Sequence, residues 1–416
     1  MKDDWSVFRV GDLVAAGSLA ISDGYRVTNE ELGPVGIPFV RGGDIADGAI
    51  NSETKDRIRP EFTHRVRRKL ACPDDVAFIT KGTVGRVGRV RSDQPPVVFA
   101  PQVAYWRVLD SEVLDPRFVF YLLQSRQFQD SLDAVKTHGS MVADYVSISQ
   151  QHDFRLQLPP IHTQREIAAL LGTFDNKLEL NQRLRQTIEC LVDALIGDIL
   201  AKARDEPDSD WVRLGDVATF AKGASYRSAD LAPSPNAMVS LKCFDKRGLF
   251  SAAGLKPYAG PIKDRHEVVA GEIVVAQTDL TQAADVLGRA IRVPASTGFA
   301  RLVASLDCVV ARPTSSRLSR ALLLGVLRQP EFRWHAVGYA NGTTVLHLGK
   351  QALPDYEFAL PRDGADSSVT SFAESAFALA DELLRESQML EVIRAALLSH
   401  LVAGKSHPNS MDSASR

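Results

Sequence analysis

The sequence predicts an α+β fold in which two mixed α/β globules are separated by two long helices that form an antiparallel coiled coil with pseudo-two-fold symmetry. Three observations predict it. The chain repeats itself after about 200 residues, each copy opens with short apolar runs bounded by turn residues, and each copy closes with a long segment of heptad-like apolar spacing. The 416 residues are enough for two or three domains.

The repeat appears as three pairs of similar segments separated by about 200 residues. They are residues 5–13 and 211–217, residues 137–142 and 340–345, and residues 153–159 and 356–361. A period this long is not that of a solenoid, so it implies two copies of one unit.

Each copy begins with predicted strands and short helices. Short apolar runs such as residues 76–79 and 273–276 predict strands, and residues 116–134 and 319–327 predict helices. The resulting domain assignment is a first globule at 1–160, a central helical spacer at 161–205, a second globule at 206–362, a C-terminal helical spacer at 363–405, and a disordered tail at 406–416.

Each spacer carries an apolar seam with 3-4 spacing. Thr163 and Glu166 form a capping-box pattern at the start of the first helix. Lys177, Asn181 and Glu386 interrupt the seam; they either fix the register of the helices or lie at a wet edge. The apolar seam positions are Ile167, Leu170, Phe174, Leu184, Ile188, Leu191 and Leu195 in the first helix, and Val369, Phe372, Leu379, Leu383, Leu390, Ile393 and Leu397 in the second.

Composition excludes several classes of protein. The formal net charge of −2, from 49 Lys and Arg against 51 Asp and Glu, excludes a globally basic nucleic-acid binder but not a locally basic one. Cys72, Cys190, Cys243 and Cys308 are too far apart in sequence for a zinc knuckle. We find no signal peptide and no apolar run of about 20 residues, so we expect a soluble, cytoplasmic protein with free thiols.

Basic residues are concentrated in two stretches of the first copy. The stretch at 81–91 contains no acid, and its glycines allow close backbone approach, so we expect it to contact DNA. The stretch at 57–69 is either a second contact or a solvated basic face. Trp106 and Trp334 are expected in cores. The candidate DNA-binding residues are Lys81, Arg86, Arg89, Arg91, Arg41, Arg65, Arg67, Arg68 and Lys69 in the first copy, and Lys222, Arg227, Lys242, Arg289 and Arg292 in the second.

Catalytic motifs are not found. Gly82, Gly85 and Gly88 lack the spacing of a dinucleotide-binding loop, and Gly404-Lys405 lacks the first glycine of a P-loop. The histidines are scattered and form no H-E-x-x-H motif. We therefore assign no catalytic residue and no metal ligand.

Three segments of the sequence carry a resemblance to a known family. Residues 75–86 (DVAFITKGTVGR) resemble a segment of the target-recognition domains in the DNA-specificity subunit of type I restriction–modification enzymes. Residues 158–181 resemble the opening of its first helical spacer, and residues 394–405 (RAALLSHLVAGK) resemble the closing part of its second. The corresponding loop of the second copy, residues 278–289, departs from the pattern and keeps a single Gly-Arg pair.

The resemblance implies a non-catalytic subunit that binds double-stranded DNA. Each globule would recognise one half of a split, asymmetric sequence, while the helices space the globules and dock two methyltransferase subunits. Restriction (motor–nuclease) subunits would then join, and S-adenosylmethionine, ATP and Mg²⁺ would bind to those partners. Two alternatives remain open: a self-sufficient DNA-modifying enzyme, and a coiled-coil adaptor that binds only protein.

Overall fold

A computed structural model describes residues 4–46, 48–135, 145–245, 248–281, 284–362 and 367–402. The chain divides into two compact units. The first unit contains the residues up to Asn176 and those from Leu390 onward, and the second unit contains Lys177–Met389.

The first unit contains two four-stranded sheets and several short helices. Its elements are β1 (Ser6–Arg9), α1 (Val10–Ala15), β2 (Leu19–Asp23), β3 (Leu32–Gly33), β4 (Ile37–Val40), β5 (Ile45–Ala46), β6 (Ala49–Ile50), β7 (Arg57–Ile58), α2 (Thr63–Val66), β8 (Val76–Ile79), β9 (Val87–Arg89), β10 (Val98–Phe99), β11 (Val103–Val108), α3 (Pro116–Gln124), α4 (Arg126–Val135), α5 (Ile148–His152) and β12 (Arg155–Leu158). The antiparallel sheet has the order β2-β11-β8-β9, and the mixed sheet has the order β10-β4-β7-β3. Strands β1 and β12 pair with each other, as do β5 and β6.

The second unit repeats this plan. The remaining elements of the chain are α6 (Ile161–Asp205), β13 (Trp211–Arg213), α7 (Leu214–Val217), β14 (Ala218–Lys222), β15 (Asn236–Val239), β16 (Lys256–Pro257), β17 (Glu267–Val268), β18 (Ile273–Ala276), β19 (Thr278–Asp279), β20 (Ala290–Arg292), β21 (Arg301–Ala304), β22 (Cys308–Pro313), α8 (Arg320–Arg328), α9 (Pro330–Gly338), β23 (Ala340–Asn341), β24 (Leu346–Leu348), β25 (Glu357–Ala359) and α10 (Ser367–Val402). The antiparallel sheet of the second unit has the order β14-β22-β18-β20, its mixed sheet has the order β16-β15-β21-β17, and a third sheet has the order β19-β24-β23.

The continuous apolar runs of β8 and β18 follow from burial on both faces. Alternate residues of a strand point to opposite faces of its sheet. In β8, Val76 and Phe78 enter one core of the first unit, while Ala77 and Ile79 enter another. The same division occurs along β18, whose four residues alternate between two cores of the second unit.

The predicted helix at 116–134 is divided into two. Asp115 caps α3 by accepting a hydrogen bond from the backbone N–H of Phe118 at 2.9 Å, and Pro116 occupies the first turn, where its missing N–H costs nothing. Ser125 leaves the helical conformation, and α4 begins one residue later.

The two tryptophans that were expected in hydrophobic cores differ in their exposure to solvent. Trp106 is buried and donates from Nε1 to Oε1 of Gln151 at 3.0 Å. The expectation for Trp334 was wrong, because its side chain is 71% exposed. Trp334 lies on the face of α9 opposite to Phe332 and Ala336, which are the residues that the helix buries.

Both predicted long helices are present, which confirms the fold class. In the first unit, Ile167 of α6 shares a core with Leu401 of α10. In the second unit, Asn181 contacts Glu386, and Ile196 shares a core with Ala373. Residue numbers rise along α6 as they fall along α10, so the helices are antiparallel. The capping box was wrong, since α6 already begins at Ile161 and Thr163 lies inside it.

Much of the buried stripe of each long helix lies one residue beyond the predicted seam, although Ile167, Asn181 and Leu397 are buried on the seam itself. Buried positions include Leu171, Val192 and Ile196 in α6. The apolar residues of the predicted seam differ in burial. The buried ones are Ile167 and Leu397. The half-buried ones are Leu170, Phe174, Ile188, Leu195, Val369, Leu383 and Leu390, and those that are 41–54% exposed are Leu184, Leu191, Phe372, Leu379 and Ile393. In α10 the buried stripe begins with Ala373, Phe377, Ala380 and Leu384.

Charged residues in the buried stripe explain the shift. Asp175 accepts hydrogen bonds from Tyr121 at 2.6 Å and from Arg394. Glu189 pairs with Arg328 of α8 at 2.8 Å. A charge enters a protein interior when a partner satisfies it, and partners from distant segments do not show in the local apolar pattern.

Candidate nucleic-acid interface

A tight loop between β8 and β9 carries Lys81 of the 81–91 stretch and is followed directly by Arg86. The backbone N–H of Ile79 donates to the carbonyl of Arg86 at 2.9 Å, and the N–H of Gly85 donates to the carbonyl of Ile79 at 3.0 Å. These two bonds close a loop of the six residues 80–85. The loop therefore leaves and re-enters the sheet at neighbouring positions.

Gly85 is required at the turn of this loop. Its φ angle is +99°, in a region that favours glycine, and a Cβ atom there would lie 2.4 Å from Oε1 of Gln129. The amide of Gln129 on α4 also donates to the carbonyl of Gly85 at 3.0 Å. Helix α4 thus holds the loop from the side.

The four cations of this stretch have different environments. Lys81 and Arg86 are exposed and have no ion-pair partner among the residues that the structure describes. Arg89 pairs with Asp74 at 2.5 Å and stacks over the ring of Phe120 at 5.7 Å. Arg91 pairs with Asp93 at 2.8 Å. Lys81 and Arg86 are therefore the two cations best placed to neutralise a phosphate or meet a base edge.

The second basic stretch is largely occupied by internal contacts. Arg57 and Arg59 donate to the carbonyls of Gly36 at 3.2 Å and Leu32 at 2.8 Å. Arg67 and Arg68 are exposed and lack ion-pair partners within the described residues. Three other candidates have carboxylate partners: Arg41 with Asp56 at 2.8 Å, Arg65 with Glu31 at 2.8 Å, and Lys69 with Asp23 at 2.6 Å.

Glu31 is the buried anchor of this stretch. Burial alone would raise the pKa of its carboxyl, but the backbone N–H of Thr28, Arg65 and the hydroxyl of Tyr25 all donate to it and hold the pKa below its usual range. Arg65 is thus part of a structural ion pair as well as a surface cation.

The second unit builds the equivalent loop on the same two hydrogen bonds. The N–H of Ala276 donates to the carbonyl of Arg289 at 2.9 Å, and the N–H of Gly288 donates to the carbonyl of Ala276 at 2.9 Å. Gly288 has a φ angle of +73°, and its Cβ would meet the Cβ of Ala336 on α9 at 2.8 Å. The loop between Ala276 and Arg289 has twelve residues, twice as many as the loop of the first unit.

Asp279 organises the longer loop from inside. Its carboxylate is buried and accepts hydrogen bonds from the backbone N–H groups of Thr281, Val286 and Leu287 at 2.7, 2.6 and 3.1 Å. Burial alone would raise its pKa, but these donors and the Thr281 hydroxyl hold the pKa of Asp279 below its usual range. The carboxylate therefore stays charged and fixes the loop.

The predicted cations of the second unit differ in exposure and in their contacts. Lys222, Arg227 and Lys242 are exposed, and Arg289 donates to the carbonyl of Asp285 at 2.5 Å. Arg292 is almost fully buried; it pairs with Asp381 of α10 and stacks on Phe377 at 4.7 Å. Because this guanidinium already has its partners inside the unit, Arg292 is not carried into the proposed interface.

Sequence reasoning missed the β19-β24-β23 sheet beside the second loop. Two of its strands have two residues and the third has three, which is too short to show an alternating pattern. The corresponding part of the first unit includes residues 137–142, which lie outside the described residues.

Two further properties concern other kinds of site. Within the described residues, no group of three or more His, Cys, Asp or Glu side chains is arranged to hold a metal ion. None of the helices in the described part of the chain combines the length and apolar character of a membrane span.

A comparison with known protein families finds a match for the first part of the chain. Residues 2–190 match the type I restriction modification DNA specificity domain. The resemblance inferred from the motifs at 75–86 and 158–181 is thereby confirmed.

One curated relative is similar in sequence to part of this chain. The type I restriction enzyme MjaVIII specificity subunit of Methanocaldococcus jannaschii is 20% identical over 193 residues, which are 45% of this chain and 44% of that relative. The chain thus matches less than half the length of this curated relative.

One solved structure shows the fold over nearly the whole chain. The type I restriction–modification S subunit from M. genitalium has a TM-score of 0.54 at 15% identity and covers 95% of this chain and 96% of its own. A chain from a structure of a type I R-M system, described in terms of complex assembly and conformational transition, has a TM-score of 0.42 at 18% identity and covers 97% and 99%.

Proposed function

We propose that this chain is the non-catalytic specificity subunit of a type I restriction–modification complex and that it recognises a bipartite, asymmetric DNA sequence. Residues 1–160 and 206–362 act as the two recognition domains, and residues 161–205 and 363–405 act as helical spacers. The observation that carries the proposal is the loop frame, in which the same pair of main-chain hydrogen bonds holds a Gly-Arg turn at Arg86 in one unit and at Arg289 in the other.

Differences between the two loops support recognition of two different half-sites. The first loop is short and exposes Lys81 and Arg86, while the second is twice as long and is fixed by Asp279. Two copies of one frame with different loops suit an asymmetric sequence, because each loop presents its own donors and acceptors to the base edges.

The long helices are proposed to dock two methyltransferase subunits, to which the restriction (motor–nuclease) subunits are then added. Exposed apolar side chains on the helices of the second unit, including Leu184, Leu191 and Leu379, support this role. S-adenosylmethionine, ATP and Mg²⁺ would bind to the partner subunits. We place the assembly in the cytoplasm, where it meets DNA.

The test begins with mapping methylated adenines in cells that express the chain with its methyltransferase subunit. We expect a two-part motif with a fixed gap. A purified chain that modifies DNA without partners would instead favour a self-sufficient enzyme, and a chain that binds no DNA would favour a protein-binding adaptor.

The second step measures the affinity of the full complex for a duplex containing that motif at several salt concentrations. Replacing Lys81 and Arg86 by alanine is expected to weaken binding and to lower the slope of log K against log salt by about 1 for each cation. Arg155→Ala, an exposed arginine on β12, is the matched control. Unchanged affinity of the Lys81→Ala/Arg86→Ala variant would contradict the interface.

A further inference from the structure

A second pair of main-chain hydrogen bonds extends the loop frame in both units. In the first unit, the N–H of Thr80 donates to the carbonyl of Gln102 at 2.8 Å, and the N–H of Val146 donates to the carbonyl of Thr80 at 2.9 Å. In the second unit, Gln277 takes the place of Thr80. The N–H of Gln277 donates to the carbonyl of Asp307 at 2.7 Å, and the N–H of Leu348 donates to the carbonyl of Gln277 at 2.8 Å. The frame thus sets Lys81 opposite Tyr145, and Thr278 opposite His347.

The second unit adds a strand to this frame. Strand β23 pairs with β24 so that Asn341 lies opposite His347, which in turn lies opposite Thr278. Residues directly opposite each other on antiparallel strands project from the same face of a sheet. Asn341, His347 and Thr278 therefore form one row across the small sheet, next to the loop that Asp279 fixes.

The row exposes polar side chains that carry hydrogen-bond donors and acceptors. Asn341 and His347 are exposed, and Nδ2 of Asn341 donates one of its two hydrogens to the carbonyl of Tyr339 at 3.0 Å, which orients the amide. Thr278 is buried and donates from its hydroxyl to Oδ1 of Asp307 at 3.0 Å. At the equivalent place, the first unit presents the exposed cation Lys81.

Amide and imidazole side chains suit base edges, because they offer directed hydrogen-bond donors and acceptors. Phosphate contacts rely on positive charge and carry no sequence information, whereas base contacts need paired donors and acceptors. An asparagine amide can pair with N6 and N7 of adenine in the major groove, and an imidazole nitrogen can donate to or accept from a base edge.

We propose that Asn341 and His347 are specificity-determining residues that read base edges of double-stranded DNA in the half-site bound by the second unit. This inference rests on the proposed function and assigns the chemistry of one half of it. In the first unit the cation Lys81 takes the place of Thr278 in this row. The first unit thus supplies charge beside its loop, whereas the second supplies hydrogen-bond readout.

The experiment determines the methylation motif of the full complex for the wild type and for Asn341→Ala and His347→Ala. Each variant is expected to make one or two base positions degenerate in one half of the motif, with discrimination at those positions reduced about 5- to 150-fold. The other half and the salt dependence of binding are expected to stay unchanged. Gln351→Ala, an exposed polar residue in the turn after β24, is the matched control and is expected to keep the wild-type motif.

The outcomes separate this inference from the proposed function. An unchanged motif, degenerate positions in both halves of the motif, or uniformly weaker binding with a smaller salt slope would each overturn the roles of Asn341 and His347. A wild-type complex without any two-part motif would overturn the proposed function itself. Equal thermal unfolding of the wild type and the variants, together with an intact second half-motif, shows that altered discrimination does not come from misfolding.

Discussion

Asn181 of α6 donates its side-chain amide to Oε2 of Glu386 on α10 at 2.8 Å, between two helices of predominantly apolar contact. Asn181 is fully buried, with an exposed fraction of 0%, and its Nδ2 also reaches Oγ of Ser387 at 3.3 Å. Lys177 pairs with the same Glu386 oxygen at 3.0 Å from the half-exposed edge. Of the two interpretations that the sequence left open, the burial of Asn181 favours a register-fixing contact, because a slip of one turn would bury its amide without a partner.

Replacing Asn181 by leucine is expected to stabilise the helix pair by about 1 kcal/mol. Oδ1 of Asn181 is buried and has no hydrogen-bond partner within the described parts of the chain, so an apolar side chain removes an unsatisfied group. The measurement is denaturant-induced unfolding of the full chain. Asn176→Leu, at an exposed position of α6, is the control and is expected to change stability by less than about 0.5 kcal/mol. A destabilised Asn181→Leu variant would show that the Asn181–Glu386 bond contributes net stability rather than specificity.

The same contact predicts a loss of stability in acid. Lys177 and then Asn181 hold the pKa of Glu386 below its usual range. A carboxyl with a depressed folded pKa contributes its stability fully above the ordinary glutamate value of about 4.3, and that stability is lost as the pH falls through the folded pKa. Hydrogen exchange of α10 amides is expected to be slower in the wild type than in Glu386→Gln near neutral pH, and the difference is expected to close in acid. A difference that persists well below the ordinary glutamate pKa would contradict the assignment.

Arg328 at the end of α8 is predicted to be the most sensitive charge of the second unit. Its guanidinium is buried and pairs with Glu189 at 2.8 Å and with Asp193 at 3.2 Å on α6. Arg328→Gln removes the ion-pair partner of both acids and is expected to destabilise the second unit by about 3 to 5 kcal/mol, measured by thermal unfolding.

Two variants check this reasoning. Arg320→Gln, at the exposed start of α8, removes the same charge without uncovering a buried acid and is expected to change stability little. Adding Glu189→Gln to Arg328→Gln is expected to recover part of the loss, because it removes one of the unpaired charges. If the double variant is no more stable than Arg328→Gln, the loss comes from packing rather than from charge.

The sequence predicted those features that depend on local pattern. Strands β8 and β18 were found at the predicted residues. Burial on both faces of a strand produces a continuous apolar run, and turn residues mark its two ends. The long helices were found for the same reason. Asp175 and Glu189 lie in the buried stripe and moved it by one residue, because their partners Arg394 and Arg328 come from distant parts of the chain.

The candidate interface was predictable only as a group of basic residues. The exposed positions of Lys81 and Arg86 agree with an unopposed local charge, but the partners of Arg89 and Arg292 are visible only in three dimensions. Asn341 and His347 carry no charge pattern at all. They become candidates because two-residue strands bring them next to the second loop.

The exposed leucines of the helices predict where a partner docks. Leu191 on α6 is 49% exposed and Leu379 on α10 is 54% exposed, and both belong to the row that was expected to form the seam. Leu191→Glu and Leu379→Glu are expected to leave thermal unfolding of the isolated chain almost unchanged and to weaken association with the methyltransferase subunit roughly tenfold or more, because a charge replaces apolar contact area. Isothermal titration with purified methyltransferase measures this, with Val269→Glu, at a 50% exposed position outside the long helices, as the control. Equal association of all three variants would place the methyltransferase elsewhere on the chain.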